Sequence, residues 1–454
     1  MKQFDVVIVG GGINGAGLLR DLALNNVKTL LIEKGDFASQ TSQGSSKMLH
    51  GGIRYLENFD FALVQEALEE KNLWLKLAPW VCFERDFYLP TYKYSKYPLW
   101  MLGCGLFLYD FLSHFQNRPF GILNKEETLQ KIPSLAHEDL TGSGKYYDGV
   151  VDDAKLTLEC LYDALIEPHV DALSYHEVIE TKRVPDGYLV TYESQDKLHR
   201  ETVFAKFVVF TTGPFSDILL PKLQIPWRPQ MVLSKGIHLW LKPDAIEAKG
   251  SVVLTTRDNR VVFVIPQRHA ILVGTTETPV DQEMFDIKAT DKEVNYLVNV
   301  LRDYFPKANL DHSSIISTFA GVRPLVKEEG HDESLGKVSR FHKIFRPDSH
   351  TYVLLGGKYT TFRRMTQELA QEIVPRLGKI YSPNLTMNAL RQPSLMPTFG
   401  KQPELTLSMI QKIMKVERVT TFDDLIKRRL SSLEDPHHLK EIMGVPVEEI
   451  KKFF

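Results

Sequence analysis

The chain has 454 residues, and its apolar, aromatic and charged fractions are ordinary for a soluble globular protein. This length exceeds what one hydrophobic core normally holds, so two or three domains are expected. A net charge of -2 excludes the strongly basic surface of a typical nucleic-acid-binding protein. The 3 cysteines are widely spaced without a CxxC pair, which argues against a disulfide framework and a cysteine-based metal site.

The start of the chain is expected to carry no signal peptide, because a buried strand begins within the first few residues. No apolar run has the length that a membrane-spanning helix needs. The odd number of cysteines fits a reducing compartment. These features predict a cytoplasmic protein.

The first predicted elements are a strand, a glycine-rich loop, a helix and a second strand. Residues 6–9 (VVIV) and 29–32 (TLLI) are apolar runs typical of buried parallel strands. The residues between them place leucines at helical spacing, and Asn25 and Asn26 are suited to end that helix. This order predicts a βαβ unit.

The loop inside this unit, GGGINGAG at residues 10–17, has the spacing of a dinucleotide-binding motif. Gly10 makes the tight turn, Gly12 lets the backbone approach a pyrophosphate, and Gly15 lets the helix pack on the strand. Glu33, about 20 residues further on, is placed to accept hydrogen bonds from a ribose diol. The alternative is a glycine-rich turn that binds no nucleotide.

The segment after this unit, residues 41–56, combines small polar residues with glycines. Such a segment builds no core, so it is expected to wrap around a polar ligand. Residues 61–75 then predict one long amphipathic helix. Residues 87–145 mix aromatic residues, prolines and turn residues, and we interpret them as an insertion.

An apolar run at residues 99–112 lies within this insertion and is interrupted by Asp110. It is too short to cross a membrane. One interpretation is a segment that lies in a membrane interface, and the other is a buried helix of the second domain. Basic and aromatic residues around the run favour the interface, namely Lys93, Tyr94, Lys96, Tyr97, Trp100, Phe107, Tyr109 and Phe111.

The middle of the chain predicts a helix at residues 151–166 and then a return to strands. Thr212 and Gly213 follow the last of these strands, where a sheet lets the backbone approach a ligand. Asp186 and Gly187 indicate a hairpin turn. The predicted strands are residues 176–179, 188–191 and 207–210.

The remaining chain predicts a second sheet and then a return to the first. A buried parallel strand at residues 352–355 breaks at Gly356 and Gly357, before a helix at residues 361–377. Residues after about 385 form a polar, helix-prone tail. The second sheet is predicted from residues 237–241, 252–254, 261–265 and 271–274, which indicate consecutive antiparallel strands, followed by a helix at 294–304.

The expected fold class is α/β, with three parts. A Rossmann-like nucleotide-binding domain is assembled from residues 1–90, 151–225 and 346–384. An α+β substrate domain with an antiparallel sheet takes residues 91–150 and 226–345. Residues 385–454 form a short helical C-terminal region.

Six motifs follow one another along the chain. They are GGGINGAG with Glu33, SSKMLHGGIRYLE (45–57), VVFVIP (261–266), GTTE (274–277), GVRPL (321–325) and GGKYTTFR (356–363). In this order they resemble the FAD-dependent glycerol-3-phosphate dehydrogenase family, and the resemblance covers roughly residues 1 to 375. HGGIRYLE and GVRPL together are specific, whereas the first glycine motif alone fits any flavoprotein of the two-dinucleotide-binding type.

Two departures from the family pattern stand out. The family usually has a longer helical C-terminal domain, and here only residues 421–429 resemble its last part. Gln43 and Gly44 replace the small residues that are more typical before Ser45 and Ser46. The first departure bears on docking and oligomerisation, and a homodimer is one assembly that remains open.

The resemblance implies a noncovalently bound FAD. The residues that it implies for FAD binding lie at strand ends, in loops and at helix starts, where backbone amides reach phosphates and flavin edges. They are Gly10, Gly12, Ile13, Asn14, Gly15, Glu33, Thr41, Ser42, Ser45, Ser46, His50, Gly51, Gly52, Val178, Thr212, Gly213, Gly356, Gly357, Lys358, Tyr359 and Thr360.

The implied substrate is a small phosphorylated polyol, whose phosphate needs cations. Arginine binds such a group in a fork and lysine as a point charge. Arg54, Arg323 and Lys358 lie inside family motifs, and Arg340 lies in the same second domain. Tyr55 either adds a hydroxyl to this set or packs on the next helix.

Oxidation of the substrate C2 also needs a base for the hydroxyl proton. His238 aligns with an active-site histidine of the family, and His50 is the alternative. Thr275 and Thr276 follow a strand and either bind substrate or flavin or form a turn. No metal site is expected.

The resemblance therefore implies oxidation of sn-glycerol 3-phosphate to dihydroxyacetone phosphate, with quinone as the electron acceptor. It also implies peripheral contact with the cytoplasmic membrane and no nucleic-acid partner. One alternative is an FAD-dependent hydroxy-acid or amino-acid oxidase on the same scaffold. Another is a non-catalytic flavoprotein that binds a phosphorylated metabolite.

Overall fold

The computed structural model describes residues 1–280, 287–327, 341–391, 393–399, 405–430 and 445–454. Its strands are β1 (Gln3–Val9), β2 (Thr29–Ile32), β3 (Met48–Leu49), β4 (Cys82–Tyr92), β5 (Gly121–Asn124), β6 (Leu140–Val151), β7 (Val170–Leu173), β8 (His176–Val184), β9 (Gly187–Ser194), β10 (Arg200–Phe210), β11 (Met231–Leu241), β12 (Ser251–Thr255), β13 (Val261–Pro266), β14 (Ile271–Gly274), β15 (Thr278–Pro279), β16 (Ile315–Val326), β17 (His342–Asp348) and β18 (Thr351–Gly356).

The helices fall mainly between these strands and at the end of the chain. They are α1 (Ile13–Leu24), α2 (Phe61–Leu77), α3 (Leu99–Leu112), α4 (Lys125–Lys131), α5 (Asp153–Ala164), α6 (Ser216–Lys222), α7 (Asp291–Tyr304), α8 (Phe362–Arg376), α9 (Leu407–Val416), α10 (Phe422–Asp424), which continues into a π-helical turn (Leu425–Leu430), and α11 (Val447–Lys451).

The first sheet contains the predicted nucleotide-binding strands. Five parallel strands run in the order β18, β10, β1, β2, β7, and β17 adds an antiparallel edge beside β18. The strands predicted at 6–9, 29–32, 207–210 and 352–355 are confirmed. Helix α1 packs against α5 and α8, because its leucines face the apolar sides of both. The βαβ unit is thus buried on both faces, as its apolar strands predict.

Within the described residues the second sheet has ten strands, with the path β15, β11, β14, β13, β12, β4, β6, β3. Strands β12, β13 and β14 pair consecutively and antiparallel, as expected, but β11 pairs with β14 and not with its chain neighbour β12. β16 lies on the other side of β11. β4 and β6 pair along their length, so the region interpreted as an insertion supplies strands to this sheet.

The division into domains stays a prediction, and two strands bear on its boundaries. β4 begins within the first predicted piece, residues 1–90, yet it pairs in the second sheet. β17 begins before the predicted boundary at residue 346, yet it pairs in the first sheet. Sequence patterns mark strands, but the partners of a strand depend on distant residues.

The chain after α8 packs on the outside of the first sheet's helices. The Tyr381 hydroxyl donates to Asp21 at 3.0 Å, and the Arg20 guanidinium donates to the backbone oxygen of Asn388 at 2.9 Å. The Thr398 hydroxyl donates to Asp152 at 2.7 Å. Tyr381, Asn388 and Thr398 therefore attach this part of the chain to α1 and to the start of α5 by partly buried polar contacts.

Helix α3 corresponds to the apolar run at residues 99–112 and is exposed along one side. Trp100 is 69% exposed, Phe107 54% and Phe111 55%, whereas Leu106 and Tyr109 are buried. These exposed aromatic side chains contradict the alternative of a buried helix of the second domain. None of the described helices combines the length and the apolar character that crossing a bilayer requires.

Candidate active site

A cavity of about 1830 Å³ is lined by residues from both sheets. A single small-molecule site usually has roughly 300–1,000 Å³, so this cavity has room for a large cofactor together with a substrate. Nearly all residues predicted for the site line it. Gly15 and Gly51 do not line the cavity. Arg340 lies outside the described residues.

The glycine loop has the geometry that a phosphate-binding turn needs. Gly10 has a φ of +108°, and a Cβ there would lie 2.8 Å from the backbone oxygen of Thr211. A Cβ on Gly15 would lie 2.0 Å from the backbone oxygen of Gly10. The first turn of α1 contains no acidic residue, so the positive end of the helix dipole is available to an anion.

The carboxylate of Glu33 is held at the end of β2 by two backbone amides. Gly11 N donates to its Oε2 at 2.6 Å, and Gly35 N donates to its Oε1 at 2.8 Å. Burial raises the pKa of Glu33, and both amide hydrogen bonds counteract this rise. Each carboxylate oxygen accepts more than one hydrogen bond, so Glu33 fits the two hydroxyls of a ribose.

The segment at residues 41–47 is fastened by Asp153, the first residue of α5. The Ser45 hydroxyl donates to Asp153 Oδ2 at 2.6 Å, and Lys47 Nζ donates to Asp153 Oδ1 at 2.7 Å. Ile13 N donates to the Ser42 hydroxyl at 2.9 Å, which joins the segment to the start of α1. Sequence analysis missed Asp153 and Lys47, although Lys47 lies inside the SSKMLHGG motif.

His238 is buried on β11 between two neighbouring strands. Its register partners are Gly274 on β14 and Phe319 on β16, and its ring stacks on Phe319 with 4.8 Å between centroids. A Cβ on Gly274 would lie 2.1 Å from the His238 ring, so a glycine is needed there. Nε2 lies 3.0 Å from the Ser46 hydroxyl oxygen. Among the described residues, Nδ1 has no hydrogen-bond partner.

The pKa of His238 is lowered well below 6.5. Burial is the largest cause, and the positive charges of Arg323 and Lys47 add to it. The imidazole is therefore neutral near neutral pH and able to accept a proton. His50, the alternative base, also lines the cavity, and its backbone oxygen accepts a hydrogen bond from the Thr360 hydroxyl at 3.4 Å.

Arg323 on β16 is oriented by the two threonines that follow β14. Its Nη2 donates to the Thr275 hydroxyl at 3.0 Å, and its Nη1 donates to the Thr276 backbone oxygen at 3.4 Å. A Cβ on Gly236 would lie 2.5 Å from Nη2, so the guanidinium passes directly over the backbone of β11. In this structure Thr275 thus supports Arg323.

Lys358 and Arg54 reach the same cavity from different loops. Lys358 is 9% exposed, and its Nζ lies 3.8 Å from the centroid of the Tyr55 ring. Arg54 is exposed, and its Nη2 donates to the Asn259 backbone oxygen at 3.0 Å. The Tyr55 ring therefore contacts Lys358, a cation–π contact that neither interpretation of Tyr55 included.

The other loops of the predicted flavin site have special backbone geometry. Gly356 and Gly357 have φ values of +76° and +79°, and Gly213 has +51°. Residues with side chains adopt such values less readily than glycine does, so these turns favour glycine. The Thr212 hydroxyl lies 2.7 Å from that of Ser216, and Val178 is buried beside the cavity wall.

Behind Gly51 lies a buried carboxylate that sequence analysis also missed. Asp148 accepts hydrogen bonds from Gly51 N at 3.2 Å and from the Tyr109 hydroxyl at 3.1 Å. Burial raises the pKa of Asp148 to about 6. A Cβ on Gly51 would lie 2.4 Å from both Leu68 and Tyr109, so Gly51 acts through close packing.

The comparisons with known proteins show the family of the chain. A profile of the family described as FAD dependent oxidoreductase matches residues 5–359. The aerobic glycerol-3-phosphate dehydrogenase of Bacillus subtilis (strain 168) is 34% identical over 380 residues, which cover 83% of this chain and 68% of that protein. A glycerol-3-phosphate dehydrogenase of Synechocystis sp. is 32% identical over 402 residues, which cover 85% and 72% of the two chains.

A solved structure shows the same fold. The glycerol-3-phosphate dehydrogenase from Bacillus halodurans, complexed with FAD, covers 100% of this chain and 93% of its own with a TM-score of 0.73. The two sequences are 23% identical, so this likeness bears on the fold alone.

Replacing Gly15 by alanine should disrupt the glycine loop. The added Cβ forces the Gly10 backbone to move, and overpacking of this kind costs about 1–3 kcal/mol. We expect a lower unfolding temperature and loss of FAD from the purified protein, measured by thermal unfolding and by the visible flavin spectrum. Gly105→Ala is the control, because a Cβ there meets no atom within 4 Å. Retention of FAD by Gly15→Ala would contradict the assignment.

His238 should make the folded protein less stable in acid. Below pH 6.5 the unfolded chain protonates this histidine while the folded chain does not, so the free energy of unfolding falls as pH falls. One such group contributes at most about 1.4 kcal/mol per pH unit. His238→Gln should flatten the decrease in urea unfolding experiments on the apoprotein below pH 6.5, while the exposed His199→Gln should not. Equal slopes for His238→Gln and wild type would refute this account.

Proposed function

We propose that this chain oxidises sn-glycerol 3-phosphate to dihydroxyacetone phosphate. The chain belongs to the FAD-dependent oxidoreductases and, within them, to the aerobic glycerol-3-phosphate dehydrogenase family. The observation that carries the proposal is that a buried neutral His238 and three cations, Arg54, Arg323 and Lys358, line one cavity with the glycine loop. FAD, when bound, accepts the hydride that leaves the substrate carbon.

The role assigned to His238 is to accept the proton of the substrate hydroxyl. Its lowered pKa keeps the imidazole neutral, and the contact of Nε2 with the Ser46 hydroxyl fixes the ring. Stacking on Phe319 also restricts its rotation. A fixed neutral imidazole in a buried site is suited to general base catalysis.

The role assigned to the three cations is to bind the substrate phosphate. Arg323 is preorganised by Thr275 and Thr276, so it loses little freedom when it pairs with an anion. Lys358 and Arg54 add charge from two other loops. A hydroxy-acid or amino-acid oxidase needs fewer cations around its substrate, so this set favours the phosphorylated polyol. A non-catalytic binding protein has no use for a buried neutral base.

We also propose that FAD is held without a covalent link. His50 is the obvious nucleophile beside the flavin segment, and the resemblance does not imply a covalent bond at this position. Backbone amides at the glycine loop and the carboxylate of Glu33 would hold FAD by ordinary noncovalent contacts. The role of Arg340 in binding the phosphate stays a prediction.

The proposed electron acceptor is a quinone that reaches the cavity from a membrane surface. The cavity extends to one side of α3, where Met101, Leu102 and Leu108 line it. Trp100 and Phe107 of the same helix are exposed. A helix with one face on a cavity and exposed aromatic residues beside basic ones suits a protein that lies in the interface of the cytoplasmic membrane.

Arg323→Ala should raise the KM for sn-glycerol 3-phosphate strongly and leave FAD bound. Loss of a charge-assisted hydrogen bond costs about 2 kcal/mol, which corresponds to roughly 30-fold in binding. Steady-state kinetics with a dye as electron acceptor measure this change. Arg257→Ala is the control, since this exposed arginine also lines the cavity but pairs with Asp303. If Arg323→Ala loses its flavin instead, Arg323 belongs to the cofactor site.

The protein should sediment with anionic vesicles at low salt. Added salt should weaken binding because it screens the attraction between lysines and lipid head groups, and Trp100→Ser with Phe107→Ser should weaken it by removing apolar contact. Leu198→Ser with Ile380→Ser is the control, because both side chains are highly exposed elsewhere. Wild-type protein that stays in the supernatant at low salt would rule out the interface.

A further inference from the structure

The C-terminal segment, defined here as residues 405–430, contains two buried arginines, and both bind one aspartate near the cofactor site. Arg428 Nε lies 2.5 Å from Asp36 Oδ2, and Arg429 Nη2 donates to Asp36 Oδ1 at 2.8 Å. All three residues are at most 5% exposed. Asp36 closely follows Glu33 in the sequence. The two arginines therefore bind the loop that comes directly after the predicted ribose-binding carboxylate.

Arg428 also binds two further partners. Its Nη2 donates to Asp424 Oδ1 at 2.6 Å, and its Nη1 donates to the Gln43 side-chain oxygen at 3.0 Å. Asp424 is itself held by the Tyr175 hydroxyl at 2.7 Å. Buried ion pairs stabilise only when their polar groups are satisfied, and this network meets that condition around Arg428.

Gln43 connects this network to the segment that faces the cofactor. Its side-chain amide donates to the Ser39 backbone oxygen at 2.5 Å, and its backbone oxygen accepts Lys47 Nζ at 2.5 Å. Gln43 is also one of the two positions where the sequence departs from the small residues of the family pattern. Its side chain thus has a specific partner, Arg428, in the C-terminal segment.

The opposite side of the same loop contacts the phosphate-binding turn. Ala38 N donates to the Gly11 backbone oxygen at 3.0 Å, and the Ser42 hydroxyl accepts Ile13 N at 2.9 Å. Residues 36–43 therefore lie between the C-terminal arginines and the glycine loop. A displacement of this loop moves Ser42 away from the start of α1.

We propose that Arg428 is a positioning residue for FAD, which acts through Asp36 and Gln43. It holds residues 36–43 in the conformation that presents Ser42 and the Glu33 loop to the cofactor. The C-terminal segment thereby contributes to FAD retention without touching FAD. This inference depends on FAD binding and not on the substrate, so it is independent of the proposed reaction.

Arg428→Met is the main test, because it should leave a folded protein. Asp36 keeps its ion pair with Arg429, and Asp424 keeps Tyr175, so neither carboxylate is left without a partner. We expect the dissociation constant for FAD to rise at least about tenfold, measured by equilibrium titration of the apoprotein with FAD. The unfolding temperature of the apoprotein is measured in parallel.

Arg391→Met is the matched control. Arg391 forms ion pairs with Asp163 at 3.0 Å and with Glu167 at 2.6 Å, at the C-terminal end of α5. Like Arg428, it attaches the chain after α8 to the first sheet's side of the fold, but none of its hydrogen bonds and ion pairs within the described part of the chain is with residues 36–43. In Arg391→Met the unfolding temperature of the apoprotein should fall about as it does in Arg428→Met. Its dissociation constant for FAD should equal that of the wild type.

Gln43→Ala is a second test that applies even if Arg428→Met does not fold. It removes no charged group, so we expect the protein to fold. We expect weaker FAD binding than in wild type with an unchanged apoprotein unfolding temperature. In a folded Arg428→Met background, Gln43→Ala should cause little additional weakening, since both act on one network. Wild-type FAD affinity in Gln43→Ala, or a loss in Arg428→Met no larger than in Arg391→Met, would overturn the proposal.

Discussion

The buried ion pair between Lys47 and Asp153 is the contact on which the arrangement of the site depends. Their side chains are 3% and 0% exposed, so the desolvation cost is large and must be offset by good geometry. Asp153 also accepts the Ser45 hydroxyl and the Ala154 amide, and it begins a helix whose dipole favours a negative charge. These contacts fix residues 41–47 between the two sheets.

This fixed segment brings together groups that belong to different parts of the fold. Ser42 contacts the start of α1 in the first sheet's βαβ unit, and Ser46 contacts His238 in the second sheet. The cations nearby have two effects. Lys47 and Arg323 help to lower the pKa of His238, and Arg323 is also placed to pair with a phosphate. Binding of a phosphate dianion would offset part of that positive charge and raise the basicity of His238 when substrate is present.

The sequence predicted the parts of the site that depend on local geometry. The glycine loop and the glycines at 356 and 357 have backbone geometry that few other residues adopt, and Glu33 follows at the expected spacing, so motif spacing predicts them as site residues. Partners that meet only in three dimensions were missed: Asp153 with Lys47, Asp36 with Arg428, and Thr275 as a support for Arg323. The pairing of β4 and β6 in the second sheet was missed for the same reason, because the residues of a strand do not determine which strand pairs with it.

Anaerobic titration of the FAD-loaded protein with sn-glycerol 3-phosphate tests the central claim most directly. If the neutral His238 and the cation set act on a phosphorylated polyol, this compound should bleach the absorbance of the oxidised flavin without any added acceptor. Glycerol, which lacks the phosphate, should bleach it only at far higher concentration. Bleaching by an amino acid or a hydroxy acid, with none by sn-glycerol 3-phosphate, would contradict the account.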